Sequence, residues 1–98
     1  MRVLLGTRDL VFRSKLGVVV AAAGAELVAA DADLAVLDVE APGAVERIRG
    51  LVLQGVRVLA FGPHVRAELL RSAREAGATA VPNSQVEQQL RQLLATST

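Results

Sequence analysis

Asp33-Leu34-Ala35-Val36-Leu37-Asp38-Val39-Glu40-Ala41-Pro42-Gly43 is the stretch whose reading decides the fold. Its first half is a run of aliphatic side chains with no polar alternation. A strand that is apolar on both faces must be covered on both faces, the situation of a central strand in a parallel sheet flanked by helices. Asp38 closes the run where the chain has to leave the sheet, and Pro42 presets the backbone for a following helix.

Outward from this stretch, short apolar runs alternate with amphipathic ones. Arg2–Leu5 reads as the first strand. Asp9 is placed to cap a helix running to about Ala23, with Phe12, Leu16, Val19, Val20 and Ala23 at helical spacing and Gly24 as its stop. The consecutive Val18, Val19 and Val20 oppose that helix, because β-branched residues are mediocre helix formers. Glu26–Ala29 is a weak second strand and Leu34–Val39 a strong third. Pro42 is expected to open a helix with Val45, Ile48, Leu51 and Val52 on one face, ended by Gly55. Arg57–Phe61 is the fourth strand. A helix follows from about His64 to Ala76, with Val65, Leu69, Ala73 and Ala76 inward and Gly77 as its stop. Thr79–Val81 is the fifth strand. Ser84 and Glu87 have the spacing of a capping box for a last helix with Val86, Leu90, Leu93 and Leu94 on its stripe. Ala95–Thr98 reads as a disordered tail. Five strands with intervening helices predict a flavodoxin-like, doubly wound α/β fold over residues 1–98 as one domain. Such a fold places its site at the carboxyl ends of the strands, here Gly6–Asp9, Asp38–Pro42, Gly62–His64 and Pro82–Ser84.

Composition narrows the function classes. The chain has 98 residues, of which 52% are hydrophobic, so a core is available within one domain. Eleven basic residues against ten acidic give a net charge of +1, which argues against general binding to a phosphate backbone. Phe12 and Phe61 are the only aromatics, so there is no stacking set for bases. The absence of cysteine removes disulfides, zinc–thiolate sites and cysteine nucleophiles. The longest apolar run, Leu16–Ala25, is too short to span a bilayer, and the first residues lack a secretion-signal pattern. The expected location is therefore cytoplasmic. No metal site or cofactor is expected. His64, the single histidine, reads as a helix-start residue facing water, since alone it makes neither a metal site nor a triad. Gly6-Thr7-Arg8-Asp9 can receive a phosphate but lacks the glycine spacing of a nucleotide fingerprint. Arg66, Arg71 and Arg74 read as a solvated helix face that can also serve for docking.

The stretch Asp33–Gly43, with an aspartate ending the strand and a proline four residues later, resembles the third strand and following loop of response-regulator receiver domains. Ala73-Arg74-Glu75-Ala76-Gly77-Ala78-Thr79-Ala80-Val81-Pro82 resembles the end of the fourth helix and the fifth strand of the same family. The resemblance implies a mechanism. In receivers an acidic pair after strand one holds magnesium, an aspartate after strand three accepts a phosphoryl group, and a Ser or Thr after strand four and a Lys after strand five bind its oxygens. Cations offset the charge as a carboxylate attacks an anionic donor. Here Asp38 matches the acceptor. The acidic pair falls on Thr7 and Arg8, with Asp9 one place late; the hydroxyl position falls on Gly62 and the lysine position on Asn83. Magnesium has thereby lost its carboxylate anchors. The expectation is that Arg8 pairs with Asp38 and takes over the metal's charge.

A further departure is an absence. Receivers carry a helix between strands two and three, and here only about Ala30–Asp33 separates them. In the strand order 2-1-3 that connection must climb the sheet and pass strand one, and four or five residues reach at most roughly 15–18 Å. Three outcomes are open: a bare crossing, a hairpin, or exchange of the first strand–helix–strand unit with a second chain. The first and third call for a partner, so a homodimer, possible through domain swapping, is expected. The sequence reading is a shortened, degenerate receiver acting as a non-enzymatic protein-interaction module in bacterial signalling. The alternatives are a weak phosphoacceptor at Asp38, or a small-ligand module using Gly6, Asp9, Pro42 and His64 at the strand ends.

Overall fold

Leu34, Ala35, Val36 and Leu37 are at most 2% exposed, as the run of aliphatic residues demands. The computed structural model describes residues 1–96 and places these four in the middle of a five-stranded parallel sheet. The elements are β1 (Arg2–Gly6), α1 (Leu10–Ala22), β2 (Glu26–Leu27), β3 (Leu34–Asp38), α2 (Ala44–Leu53), β4 (Arg57–Gly62), α3 (Ala67–Glu75), β5 (Thr79–Pro82) and α4 (Val86–Thr96). The strand order is β2-β1-β3-β4-β5, the flavodoxin-like order, and every pairing is parallel.

The period of two along each strand sorts the core into two layers. Val3, Leu5, Leu34, Val36, Leu59 and Phe61 face α1 and α4, where Leu16, Val20, Leu90 and Leu94 meet them. Leu4, Ala35, Leu37, Val58 and Ala60 face α2 and α3, where Ile48, Leu70 and Ala73 meet them. Phe12 tilts against Phe61 with ring centroids 5.2 Å apart, joining α1 to the end of β4. The valine run does not break α1. Val19 and Val20 are buried, and burying a valine gains roughly 1.5–3 kcal/mol, whereas its helix propensity costs at most about 0.7 kcal/mol. Gly24, Gly55 and Gly77, the three expected stops, take left-handed φ values of 74°, 83° and 107°.

Several boundaries differ from the sequence reading. Pro42 lies in a turn and not at the start of α2, because Gly43 at φ 73° forms the N-cap. α3 begins at Ala67 instead of His64: Arg66 N–H donates to Pro63 O at 2.9 Å, closing a turn that leaves His64 and Val65 exposed. The capping box at Ser84 and Glu87 does not form; a 3₁₀ turn over Asn83–Gln85 leads into α4 with no side-chain cap. Ala95 and Thr96, expected in a disordered tail, belong to α4, and residues 97–98 lie outside the described residues.

The missing helix is accommodated by shortening β2. The strand is two residues long, not the four expected, and its Leu27 lies level with Val3 of β1. Leu34 of β3 is also level with Val3. The connection therefore never climbs the sheet; it only moves sideways past β1, a span of about 10 Å for strands about 4.8 Å apart. Residues 28–33 reach about 20 Å when extended, which is enough for a bare crossing. The hairpin is ruled out by the parallel β1–β2 pairing. Arg2 holds the link in place. Its Nε and Nη2 donate to Asp31 O at 2.9 Å and Ala30 O at 3.3 Å, and its backbone N–H donates to Asp33 Oδ2 at 2.8 Å. Asp31 takes a left-handed φ of 56° at the bend, a conformation that aspartate tolerates better than most residues. Replacing Arg2 by Ala removes both side-chain donors and is expected to lower unfolding stability by about 1 kcal/mol. Urea denaturation should show this as a lower midpoint with an unchanged slope.

Candidate functional site

Four loops meet at the carboxyl edge of the sheet, following β1, β3, β4 and β5. At their centre is Asp38, the last residue of β3 and partly buried. Both of its carboxylate oxygens are engaged within the chain. Oδ1 accepts the Glu40 backbone N–H at 2.9 Å, and Oδ2 accepts the Thr7 hydroxyl at 3.3 Å. Thr7 is 5% exposed, and its Oγ1 in turn accepts the Asp9 N–H at 3.1 Å. The result is a directed chain of hydrogen bonds from the start of α1 into the carboxylate.

Strand-like alternation past the end of β1 turns Thr7 inward and Arg8 outward. The expected Arg8–Asp38 ion pair is therefore not formed: Arg8 is exposed and has no ion pair among the described residues, and the neutral Thr7 hydroxyl takes its place at Asp38. Asp9 caps α1 as expected, its Oδ1 accepting Val11 N–H at 2.9 Å and Phe12 N–H at 3.2 Å. That bonding directs its carboxylate to the helix end and away from Asp38. The positions that would anchor magnesium thus offer one hydroxyl and one outward guanidinium, and do not fit a hard divalent cation that wants carboxylates. Among the described residues no three His, Cys, Asp or Glu side chains converge.

Gly62 ends β4 and is buried. A Cβ built there would overlap Val39 Cγ2, and Val39 is itself 6% exposed in the α2/α3 layer. The place for a hydroxyl-bearing side chain after β4 is thus filled by Val39. Asn83, in the lysine position, opens the 3₁₀ turn after β5 and brings no charge. His64 stays on the surface of the turn after β4. Three arginines shape this edge, and the sequence reading named only Arg66 among them, as part of a solvated or docking face. Arg66 bridges Glu40 at 3.5 Å and Glu68 at 2.8 Å, tying the loop after β3 to α3. The Glu68 hydrogen bond holds the Arg66 guanidinium above its ordinary pKa and the Glu68 carboxyl below its own. Arg47 of α2 lies over Gly6, where a Cβ would come within 3.0 Å of its Nη1. Arg13 of α1 donates to Thr7 O at 3.2 Å. All three sit on exposed helix or turn positions, where a sequence shows only solvating charge.

Introducing the missing hydroxyl tests how far Val39 closes the site. Gly62→Ser is expected to lower stability by about 1–3 kcal/mol through overpacking. Combined with Val39→Ala, it should be better tolerated than the two separate costs imply, by about 1 kcal/mol in a denaturation double-mutant cycle. Strict additivity would contradict this reading.

No protein-family model matches the chain, and no curated protein matches it in sequence. Solved structures do match in fold. The BeF3-activated DrrB receiver domain superposes with a TM-score of 0.80 at 15% identity, over 97% of this chain and 94% of that one. A CheY-like receiver domain protein from Methanospirillum hungatei gives 0.78 at 17% identity, over 98% and 91%. NtrX from Brucella abortus gives 0.78 at 16% identity over 98% of this chain, which spans only 26% of that protein. By fold, the chain is a short receiver-like domain.

Proposed function

We propose that this chain is a pseudo-receiver, a signalling module that works through protein contacts and neither accepts a phosphoryl group at Asp38 nor turns over a substrate. The observation that carries this reading is the occupancy of Asp38. Its oxygens are held by the Thr7 hydroxyl and the Glu40 amide, and among the described residues no Lys or Arg forms an ion pair with it. Val39 adds to it by filling the space over Gly62. Residues 1–98 act as one module. Among the described residues no helix is long and apolar enough to cross a membrane, and we place the module in the cytoplasm.

The same reading includes a homodimer of intact folds. Val18 is 65% exposed on α1 and, with Ala22 and Leu94, borders an apolar groove between α1 and α4. Covering such a groove with a second copy removes apolar surface from water. Nucleic acid is not the expected partner, given the balanced charge.

Two measurements check these statements. Incubation with acetyl phosphate and Mg²⁺, followed by intact-mass analysis, is expected to leave the chain unmodified; a stable acyl phosphate on Asp38 would overturn the pseudo-receiver reading. Light scattering at micromolar concentration is expected to give the dimer mass, and Val18→Lys the monomer mass. A wild-type monomer would rule the dimer out.

A further inference from the structure

Because β2 stops at Leu27, β1 has no strand beside it on that edge beyond Val3. Two adjoining cavities open there. One, of about 380 Å³, lies at the carboxyl end of β1 and is bordered by Gly6, Thr7 and Pro42 together with Arg8, Arg13 and Arg47. The other, of about 370 Å³, shares Arg13 and Arg47 and runs along Leu4, Leu27, Val28 and Ala29. Each falls within the size range of small-molecule sites.

The charge around the first cavity is one-sided. Three guanidiniums border it and no carboxylate does. None of the three forms an ion pair among the described residues. The nearby acids are engaged elsewhere: Asp9 caps α1, Asp38 accepts Thr7 and Glu40, and Glu40 meets Arg66. Like charges gathered without a counterion repel, and an anion placed between them relieves that repulsion. Arg13 and Arg47 are directed to this place by contacts outside the anion itself. Arg13 donates to Thr7 O, and Arg47 lies over Gly6, where the missing side chain leaves room. Planar guanidinium forks match the oxygens of a phosphate and bind them in pairs. The N-terminus of α1 plays no part, since Asp9 already satisfies it. The second cavity supplies what a bare anion does not need: an aliphatic wall, with Leu27 50% exposed.

We propose that the cavity bordered by Arg8, Arg13 and Arg47 binds the phosphate group of a small organic phosphate, whose body lies in the adjoining groove along Leu4, Leu27 and Val28. The site exists because β2 is short and the crossover helix is missing. It is separate from Asp38, which does not border it. It therefore goes beyond the pseudo-receiver reading and stands or falls independently of it.

The test is an amide-resolved NMR titration of the full chain with inorganic phosphate and with phenyl phosphate. Both are expected to shift the Gly6 and Thr7 amides. Phenyl phosphate alone should also shift Leu27, Val28 and Ala29, and should bind several-fold more tightly. Arg8→Gln and Arg47→Gln are each expected to weaken phenyl phosphate binding about tenfold, the loss of one charge-assisted contact. Arg8 makes no contact that folding depends on, so its variant reports binding even if Arg47→Gln perturbs the fold. Arg71→Gln, on α3 and away from the cavity, should leave binding unchanged. The proposal is overturned if the Gly6 and Thr7 amides do not respond, or if Arg71→Gln weakens binding as much as Arg8→Gln. A phosphoserine peptide binding more tightly than phenyl phosphate would overturn the small-molecule assignment in favour of a protein ligand.

Discussion

β3 is covered on both faces, and that constraint organises the molecule. Leu34 and Val36 are buried under α1 and α4, Ala35 and Leu37 under α2 and α3, so the strand cannot shift or flip without exposing one set. Its neighbours on both sides are then fixed in register: Leu5 beside Val36 on one edge, Leu59 beside Val36 on the other. Asp38 is carried to the carboxyl edge by this register, level with Phe61 of β4, and Thr7 reaches it from the loop after β1. The site is a consequence of how the central strand is buried.

The proposed pseudo-receiver character rests on a few short-range contacts at that edge. A carboxylate at the end of a buried strand needs hydrogen-bond donors or cations around it. Here the donors are internal, a threonine hydroxyl and one backbone amide. That solution satisfies Asp38 without any external ion and leaves Arg8 free to face solvent. The close fit of Val39 over Gly62 belongs to the same solution, since it fills with aliphatic packing a place that phosphoryl chemistry would need open and polar.

Much of this was legible in the sequence, because it rests on local signals. The aliphatic run announced β3, Asp9 announced the cap of α1, and Gly24, Gly55 and Gly77 announced the helix ends. The positions lacking receiver residues could also be named, since they lie at fixed distances from the strands. What could not be read depends on contacts between distant segments. The expected Arg8–Asp38 pair missed that Thr7 is the inward residue of the two. The short link is barely passable for a four-residue β2, and a two-residue strand removes the climb. Val39 over Gly62, and Arg47 over Gly6, involve side chains from different strands and helices, and no spacing along the chain encodes them.

Binding of a divalent cation at the carboxyl edge is what separates the proposed pseudo-receiver from a phosphoacceptor. Paramagnetic broadening by Mn²⁺, a probe for magnesium sites, tests it directly on the isotope-labelled chain. The pseudo-receiver proposal predicts weak, unsaturable broadening spread over exposed acidic residues such as Glu26 and Glu75, with the amides of Thr7, Asp38 and Gly62 broadened no more than the rest. Saturable broadening centred on Thr7 and Asp38 would contradict it.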